Sequence, residues 1–463
     1  MMIKKNKSLL LSSIVFFTIH TSSALADIIE GDGTIDIVAS VSTVSNTPES
    51  ALGQAMSRFC PRILALEDGG QTLSPDTKRL LEVCTTINSN PALTEEAYRQ
   101  LSAYSVTAIT TVLSRMPLIV SLEDIGSRLA ALRRAARQMK LASWQPDLDS
   151  ASLLADASLL NATGGGASAD EPGGLFDNRL SGFFSGAYVA SEQTGTDTLA
   201  GFNNDIYAMT LGLDYRFKHD AYAGVATRLL NGNADLDDNG GSLDSNDVNL
   251  TLYGSYFPSQ SFYVDATLQA SSGKYDLTRR IDFTVNTLDV FETAEGSTNG
   301  NQLGFSLGWG FEHTFSGPAI TAQLNAGYRY SKAKLDAYTE EGALGLNLDV
   351  DEQTIESRLM SVGTQFSRAF SLGWGVMLPQ LNVSWKHDFR PAGQDISASF
   401  AADPFGTKFV FTTEDRDADF FEVALGVSTV SPGGWSTFAQ LTTIAGYTNY
   451  DQNMLSLGVR KEF

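Results

Sequence analysis

Cysteine and histidine are scarce in this chain: two Cys and four His among 463 residues. Two thiols cannot build a disulfide framework or a four-thiolate zinc site. The histidines stand apart, at 20, 219, 313 and 387, without an H-E-x-x-H helix or a His/Cys cluster. Residues 27–121 contain none, which excludes Ser–His and Cys–His catalysis within that stretch. No P-loop and no dinucleotide glycine motif occurs, so no cofactor is expected. Ser271-Ser272-Gly273-Lys274 matches S-x-x-K in letters only, because it lies in a strand pattern without the partner motifs. Charge is low and one-sided: 18% charged residues, 32 basic against 53 acidic, net −21. A phosphate-binding face needs clustered Lys and Arg, so nucleic acid is excluded as a partner. Past the first 26 residues no run of 18 apolar residues appears, which rules out a membrane helix there.

What is present begins with an address. Lys4, Lys5 and Lys7 precede an apolar stretch, Leu9 to Ile19, and Ala24-Leu25-Ala26 supplies small residues around one large one. This is the secretory pattern over residues 1–26, with cleavage after Ala26 and before Asp27. Losing its three lysines takes the formal charge from −21 to −24. The mature chain is expected to leave the cytoplasm of a bacterium for the periplasm, outer membrane or exterior.

Two periods divide the rest. Residues 27–45 are β-branched and Gly-punctuated, read as one or two weak strands or an extended lead. From Pro48 to about Lys140 the period is helical. Thr47-Pro48-Glu49 and Ser74-Pro75-Asp76 each set a capping hydroxyl before a proline at the first helical position and an acid after it. Leu80, Leu81, Cys84 and Ile87 follow at helical spacing, and Thr94 and Ser121 start two further helices. Residues 145–180 carry Gly164-Gly165-Gly166 and Pro172-Gly173-Gly174, the composition of a linker. This organises the chain as a leader (1–26), a small helical domain (27–121), a helix with a Gly/Pro-rich linker (122–180) and a strand region (181–463).

Beyond Gly182 the period becomes two. Tyr207, Met209, Leu211, Leu213, Tyr215 and Phe217 alternate with Ala208, Thr210, Gly212, Asp214 and Arg216. Residues 303–315, 320–331 and 381–389 repeat the alternation, and twelve such runs can be counted. Short connections alternate with long acidic or Gly/Asn-rich ones, read as loops at 192–203, 231–246, 276–299, 336–355 and 391–416. In hydrocarbon every backbone N–H and C=O needs a partner, so a spanning sheet must close on itself. One face then meets lipid and the other water, with short turns at one end, long loops at the other and aromatic girdles between. Tyr207, Phe217, Tyr256, Phe257, Phe315, Tyr330, Trp385 and Phe389 suit those girdles. A soluble sandwich would not require loops alternating in length, and a β-helix would show a repeat of ~20–30 residues. The expected fold is an all-β transmembrane barrel of twelve antiparallel strands, preceded by a small, mostly α-helical domain.

The final strand alternates Leu455, Leu457 and Val459 with Ser456, Gly458 and Arg460 and ends on Phe463, a pattern read as the barrel-assembly signal. Lys461 breaks the apolar face but lies where it can snorkel to the interface. Several segments resemble the autotransporter β-domain family of type V secretion in Gram-negative bacteria: "YAMTLGLDYRF" at 207–217, "DLDDNGGSLDSNDVNLTLYGSYFPSQSFYVDATL" at 235–268, "SWKHDF" at 384–389, "DRDADFFEVALGVST" at 415–429 and "LSLGVRKEF" at 455–463. "IGSRLAALR" at 125–133 is similar to the segment preceding such barrels. The resemblance implies a twelve-stranded barrel, a chain segment in its pore and an N-terminal passenger carried to the surface. It also implies barrel-assembly machinery and periplasmic chaperones as partners. The passenger departs from the family pattern, being short and helical, and no GDSL-like nucleophile block is found.

Cys60 and Cys84 lie on neighbouring helices, positions open to a disulfide in an oxidising compartment or to two buried thiols. Asp235-Leu236-Asp237-Asp238-Asn239-Gly240 mimics a calcium loop, but position 12 is Asn246 and no helix enters it, which favours a solvated hairpin loop. Arg128, Arg133, Arg134, Arg137 and Lys140 make the 122–140 helix basic on its polar side; it either docks in the pore or presents a solvated face. The expectation is a monomeric, non-enzymatic outer-membrane carrier displaying its short N-terminal domain to an unknown surface ligand, in contact with outer-membrane lipid. A diffusion channel with a periplasmic N-terminal domain and a surface adhesin are the alternatives.

Overall fold

The computed structural model describes residues 47–87, 94–113, 179–218, 220–259, 261–315 and 320–463. The leader, with Ala24, Ala26 and Asp27, the 27–45 lead, and the segment bearing Arg128, Arg133, Arg134, Arg137 and Lys140 lie outside these residues.

Three helices come first: α1 (Pro48–Asp68), α2 (Pro75–Ile87) and α3 (Thr94–Leu101). A single 3-10 turn, Ala103–Ser105, leads into helical residues 106–113. The Thr47 hydroxyl accepts the Ser50 amide and that of Ser74 the Thr77 amide, as the Pro-preceding caps require. Leu52, Met56, Phe59 and Ile63 of α1 and Leu80, Val83 and Ile87 of α2 are buried, an apolar stripe at helical spacing. Cys60 and Cys84 are joined by a disulfide between α1 and α2, their Cα atoms 5.9 Å apart.

The strands are β1 (Leu180–Gln193), β2 (Phe202–Lys218), β3 (Ala221–Leu236), β4 (Gly241–Tyr256), β5 (Phe262–Val285), β6 (Leu288–Phe315), β7 (Ile320–Leu335), β8 (Tyr338–Thr339), β9 (Leu348–Val350), β10 (Gln353–Arg368), β11 (Phe370–Leu372), β12 (Gly375–Asp388), β13 (Asp395–Phe400), β14 (Phe409–Thr412), β15 (Asp419–Ser431), β16 (Trp435–Ala445) and β17 (Tyr450–Glu462). Twelve long ones form a closed antiparallel ring in the order β10-β7-β6-β5-β4-β3-β2-β1-β17-β16-β15-β12, shut by the β10–β12 pairing. β1 pairs with β17 from Ser181↔Glu462 to Gln193↔Tyr450, so the first and last strands meet. No edge is left in the ring, as a membrane span demands.

The alternating face is the lipid face. Leu211 on β2 is 64% exposed and Leu324 on β7 62%, while Thr210 and Ala208, pointing inward, are buried. The inward wall is polar over much of its height. Arg228 donates to the Thr210 hydroxyl at 2.8 Å, Ser181 to Asp214 at 2.6 Å, and Lys386 pairs with Glu422. At the short-turn end aromatic rings fold inward over glycines of the next strand. A Cβ on Gly212 would sit 2.2 Å from the Phe183 ring, and one on Gly310 would sit 2.4 Å from Tyr263. Phe257 belongs to this inner cluster with Phe183, Tyr222, Tyr253 and Tyr263. It is therefore not a girdle residue, because the chain turns inward after Tyr256 at the β4–β5 connection.

Two expected loops are strands. β3 and β4 run on through 231–246 and leave only 237–240 as a turn. β5 and β6 run on through 276–299 to a two-residue turn at Asn286 and Thr287, where Asn286 takes a positive φ of 55°. β5 has 24 residues and β6 28, more than twice the ~9–11 that a tilted strand needs to cross hydrocarbon. The hairpin therefore rises well beyond the barrel wall. The connections at 336–355 and 391–416 also hold strands, a second small sheet in the order β14-β13-β9-β8.

Candidate functional site

The site is the long-loop end of the barrel, where the helices sit on a platform of three parts. The first is the 194–201 connection, the second the raised β5–β6 hairpin, and the third the β8–β9–β13–β14 sheet with its turns. Each part touches the helices directly. The Tyr104 hydroxyl lies 2.7 Å from the carbonyls of both Thr196 and Leu199, and the Ala200 amide donates to the Thr107 hydroxyl at 2.8 Å. Arg79 of α2 reaches Glu292 on the hairpin at 3.4 Å. The Thr77 hydroxyl donates to the Ala402 carbonyl at 3.1 Å. The Phe59 ring meets Phe400 edge-on at 5.8 Å, and the Arg62 guanidinium lies 3.6 Å over the Phe405 ring. Gly345 packs so closely on α2 that a Cβ there would come within 2.0 Å of the Asp76 carbonyl. These contacts come from the β1–β2, β5–β6, β7–β10 and β12–β15 connections, spaced around the ring, so the helical domain lies across the mouth.

Arg279 is the centre of this arrangement. Its Nε donates to Glu340 Oε1 at 3.0 Å, and its Nη2 binds the other carboxylate oxygen and the Leu346 carbonyl. Its Nη1 donates to the Gln100 carbonyl at the end of α3, 2.8 Å away. Both side chains of the ion pair are fully buried. A buried pair is tolerable only when its remaining donors and acceptors are satisfied. Here the Leu348 amide supplies the further bond to Glu340. Gln100 closes the joint by accepting the Asp282 amide on its own Oε1 at 2.6 Å.

Electrostatics at the joint follow burial. Desolvation pushes the Tyr104 phenol up to about 12; Arg99 opposes this and the nearby carboxylates Glu49, Asp238 and Asp197 add to it. Desolvation, with Asp238 beside it, likewise raises Asp237 in the 237–240 turn. At Asp351 partial desolvation pushes upward, but hydrogen bonds from Lys408 and Ser397 outweigh it, so the carboxyl sits below its ordinary range.

The residues singled out from sequence fall in different places. Leu455, Leu457 and Phe463 point outward, at 44%, 52% and 50% exposure. Val459 follows on the same face, and Gly458 faces the Phe438 ring, which would lie 2.2 Å from a Cβ. Lys461 bends to the Gly433 carbonyl and lies 5.1 Å from the Trp435 ring, the snorkelling geometry. Asp235 sits in β3, not in a loop, paired with Ser242 across to β4. Among the described residues no group of three His, Cys, Asp or Glu is placed to hold a metal ion. Arg279, Glu340, Gln100, Tyr104 and Thr107 were not singled out. The one available signal was the inward phase of Arg279, an odd position on β5 like Tyr275 and Leu277.

A closed twelve-stranded cylinder with an apolar exterior, a polar bore and a domain seated on its loops defines a membrane barrel with a carried domain. The family description "Autotransporter beta-domain" matches residues 182–442, more than half of the chain, and the protein belongs to that family. It is thus an outer-membrane barrel of Gram-negative type. Lipase 1 of Photorhabdus luminescens is 25% identical over 279 residues, which cover 59% of this chain and 41% of that protein. Esterase EstA of Pseudomonas aeruginosa is 25% identical over 261 residues, 53% of this chain and 37% of the esterase. The chain spans about two fifths of the length of these curated relatives. Among solved structures, the translocator domain of autotransporter NalP from Neisseria meningitidis is similar with a TM-score of 0.49 and 15% identity, covering 67% of this chain and 96% of that one. The β-domain of the Bordetella autotransporter BrkA has a TM-score of 0.45 and 18% identity, covering 61% of this chain and all of that one.

Proposed function

We propose that this protein carries its helical domain through the outer membrane and holds it at the cell surface. One observation carries the reading: the chain meets the two ends of the barrel on either side of residues 114–178. At its upper end Leu113 lies against the inner wall, where a Cβ on Gly300 would sit 3.6 Å from its side chain. At the lower end Arg179 and Leu180 lie beside the short turns, the Arg179 carbonyl accepting the Arg216 amide at 2.8 Å. In this reading the connection crosses the membrane between these points. A route through lipid would leave its backbone groups unsatisfied, whereas the bore is polar. In this reading the 122–180 segment, with its basic residues Arg128, Arg133, Arg134, Arg137 and Lys140, threads the pore, and 27–121 is the displayed domain.

The carried domain works without catalysis of its own in this reading. The lipase and esterase names belong to relatives of greater length, and residues 27–121 here have no histidine to activate a serine. Insertion is handled by the barrel-assembly machinery reading Leu455, Leu457, Gly458, Val459 and Phe463, after carriage by periplasmic chaperones. The barrel then functions as a monomer among outer-membrane lipids. An epitope inserted at Gly69-Gly70, the exposed turn after α1, tests the display. Antibody binding to intact cells is the expected result. Binding only after the outer membrane is permeabilised would overturn the reading.

A further inference from the structure

We propose that the loop platform is a binding site for the helical domain in its own right, so that the domain stays seated when its covalent tie to the barrel is cut. The inference rests on the display reading and goes beyond it, because display requires only that the domain pass the barrel.

The joint has the features of a protein–protein interface rather than of a tether. Its centre is desolvated: Arg279, Thr107 and Phe59 have no exposed surface, and neither has the Glu340 side chain. It joins a charged pair, aromatic anchors and backbone hydrogen bonds in one patch, the composition of an interface hot spot. Arg279 bonds to the helical domain and to the platform at once, through Gln100 on one side and Glu340 and Leu346 on the other. Lifting the domain away would break the Arg279–Gln100 bond and open the buried ion pair to water. It would also bare Phe400, which is 2% exposed under α1. Shape adds to chemistry at Gly345, where only a residue without a side chain admits the Asp76 carbonyl. The occupant is therefore this chain's own helical residues, 47–87 and 94–113.

The experiment places a cleavage site for a sequence-specific protease between residues 114 and 121 of the full chain. A cut there leaves the joint as the sole link. Membranes bearing the variant are cut, washed and sedimented, with cleavage read on a denaturing gel and barrel integrity by its heat-dependent mobility. The domain fragment is expected in the pellet at physiological salt and in the supernatant after strong denaturant. Arg279→Met in the same background should shift it to the supernatant, weakening retention by about a hundredfold or more, as removal of one partner from a buried charge pair implies. Gly345→Val should do the same through shape alone, without touching a charge. Prompt release of the wild-type fragment from intact barrels would overturn the proposal, and so would retention indifferent to both substitutions. Release of a fragment that antibody had reached on intact cells would sink retention and leave display standing. A fragment retained but unreachable on intact cells would sink display alone.

Discussion

The lower and upper halves of β5 obey opposite rules within one unbroken strand. From Phe262 to Ala270 the outward residues are apolar (Phe262, Val264, Leu268) and the inward ones polar (Asp265, Thr267, Gln269). From Lys274 onward the outward residues are polar (Lys274, Asp276, Arg280, Asp282) and the inward ones mostly apolar (Leu277, Ile281, Phe283, Val285), with the paired Arg279 the charged exception. The inversion falls at Ser271–Gly273, between small residues. Below it the strand has lipid outside and a wet bore inside; above it the strand has water outside and a packed domain inside. One backbone serves as membrane wall and as the back of a globular core, because side-chain period is fixed while the solvent on each face is not.

The sharpest way to break this contrast is at the packed end. Glu340→Ala should cost the platform about 3–5 kcal/mol by stranding a buried guanidinium, and Arg279→Met with Glu340→Met should recover most of it. Protease cutting rates in the 336–352 and 395–413 segments of the detergent-held protein report the loss, with the barrel itself unaffected. A charge in the wall probes the other side of the comparison. Leu307→Arg, outward on β6 in the lower half, should lower barrel stability in bilayers by ~2–4 kcal/mol, whereas Ser297→Arg, outward on the same strand above the belt, should change it by ~0–1. Equal costs in a denaturant titration would remove the distinction between the halves. Replacing Cys60 and Cys84 together by Ser should destabilise the helical domain by roughly 3 kcal/mol through the freed loop and leave the barrel's heat-dependent mobility unchanged.

The smallest effect is a pH dependence. Burial holds Tyr104 neutral to about 12, against an ordinary value of 10.0, so the folded state disfavours the phenolate. Its contribution is complete below pH ~10 and is lost as pH rises towards 12. Domain seating should loosen over that window, and Tyr104→Phe, lacking about 1 kcal/mol of hydrogen bonding at neutral pH, should be flat across it. Ultraviolet absorbance of the phenolate against fragment retention reads both.

Much of the wall was legible because lipid writes a simple rule: residues such as Tyr207, Met209 and Leu211 face outward in unbroken alternation. The closed ring followed from that rule and from strand count. The raised hairpin was not legible. Residues 276–299 also alternate, but their outward members are Asp276, Arg280, Asp282 and Glu295, which resemble a solvated loop when lipid is assumed outside. The phase of the pattern was informative, not its polarity. The joint was hidden for a different reason. Gln100, Arg279 and Glu340 converge from positions far apart in the chain, and no local spacing marks such a meeting. Phe257 misled because a girdle aromatic and an inward one differ by a single residue of register at a turn.

The pairing of β1 with β17 sets a timetable for the molecule. The seam that completes the cylinder joins residues near 181 to residues near 462, so it cannot form until β17 has arrived. Until then β1 keeps one margin unzipped, for a companion more than two hundred and fifty residues behind it. Such a long-range closure is slow. β17 is thus the clasp without which the ring stays open.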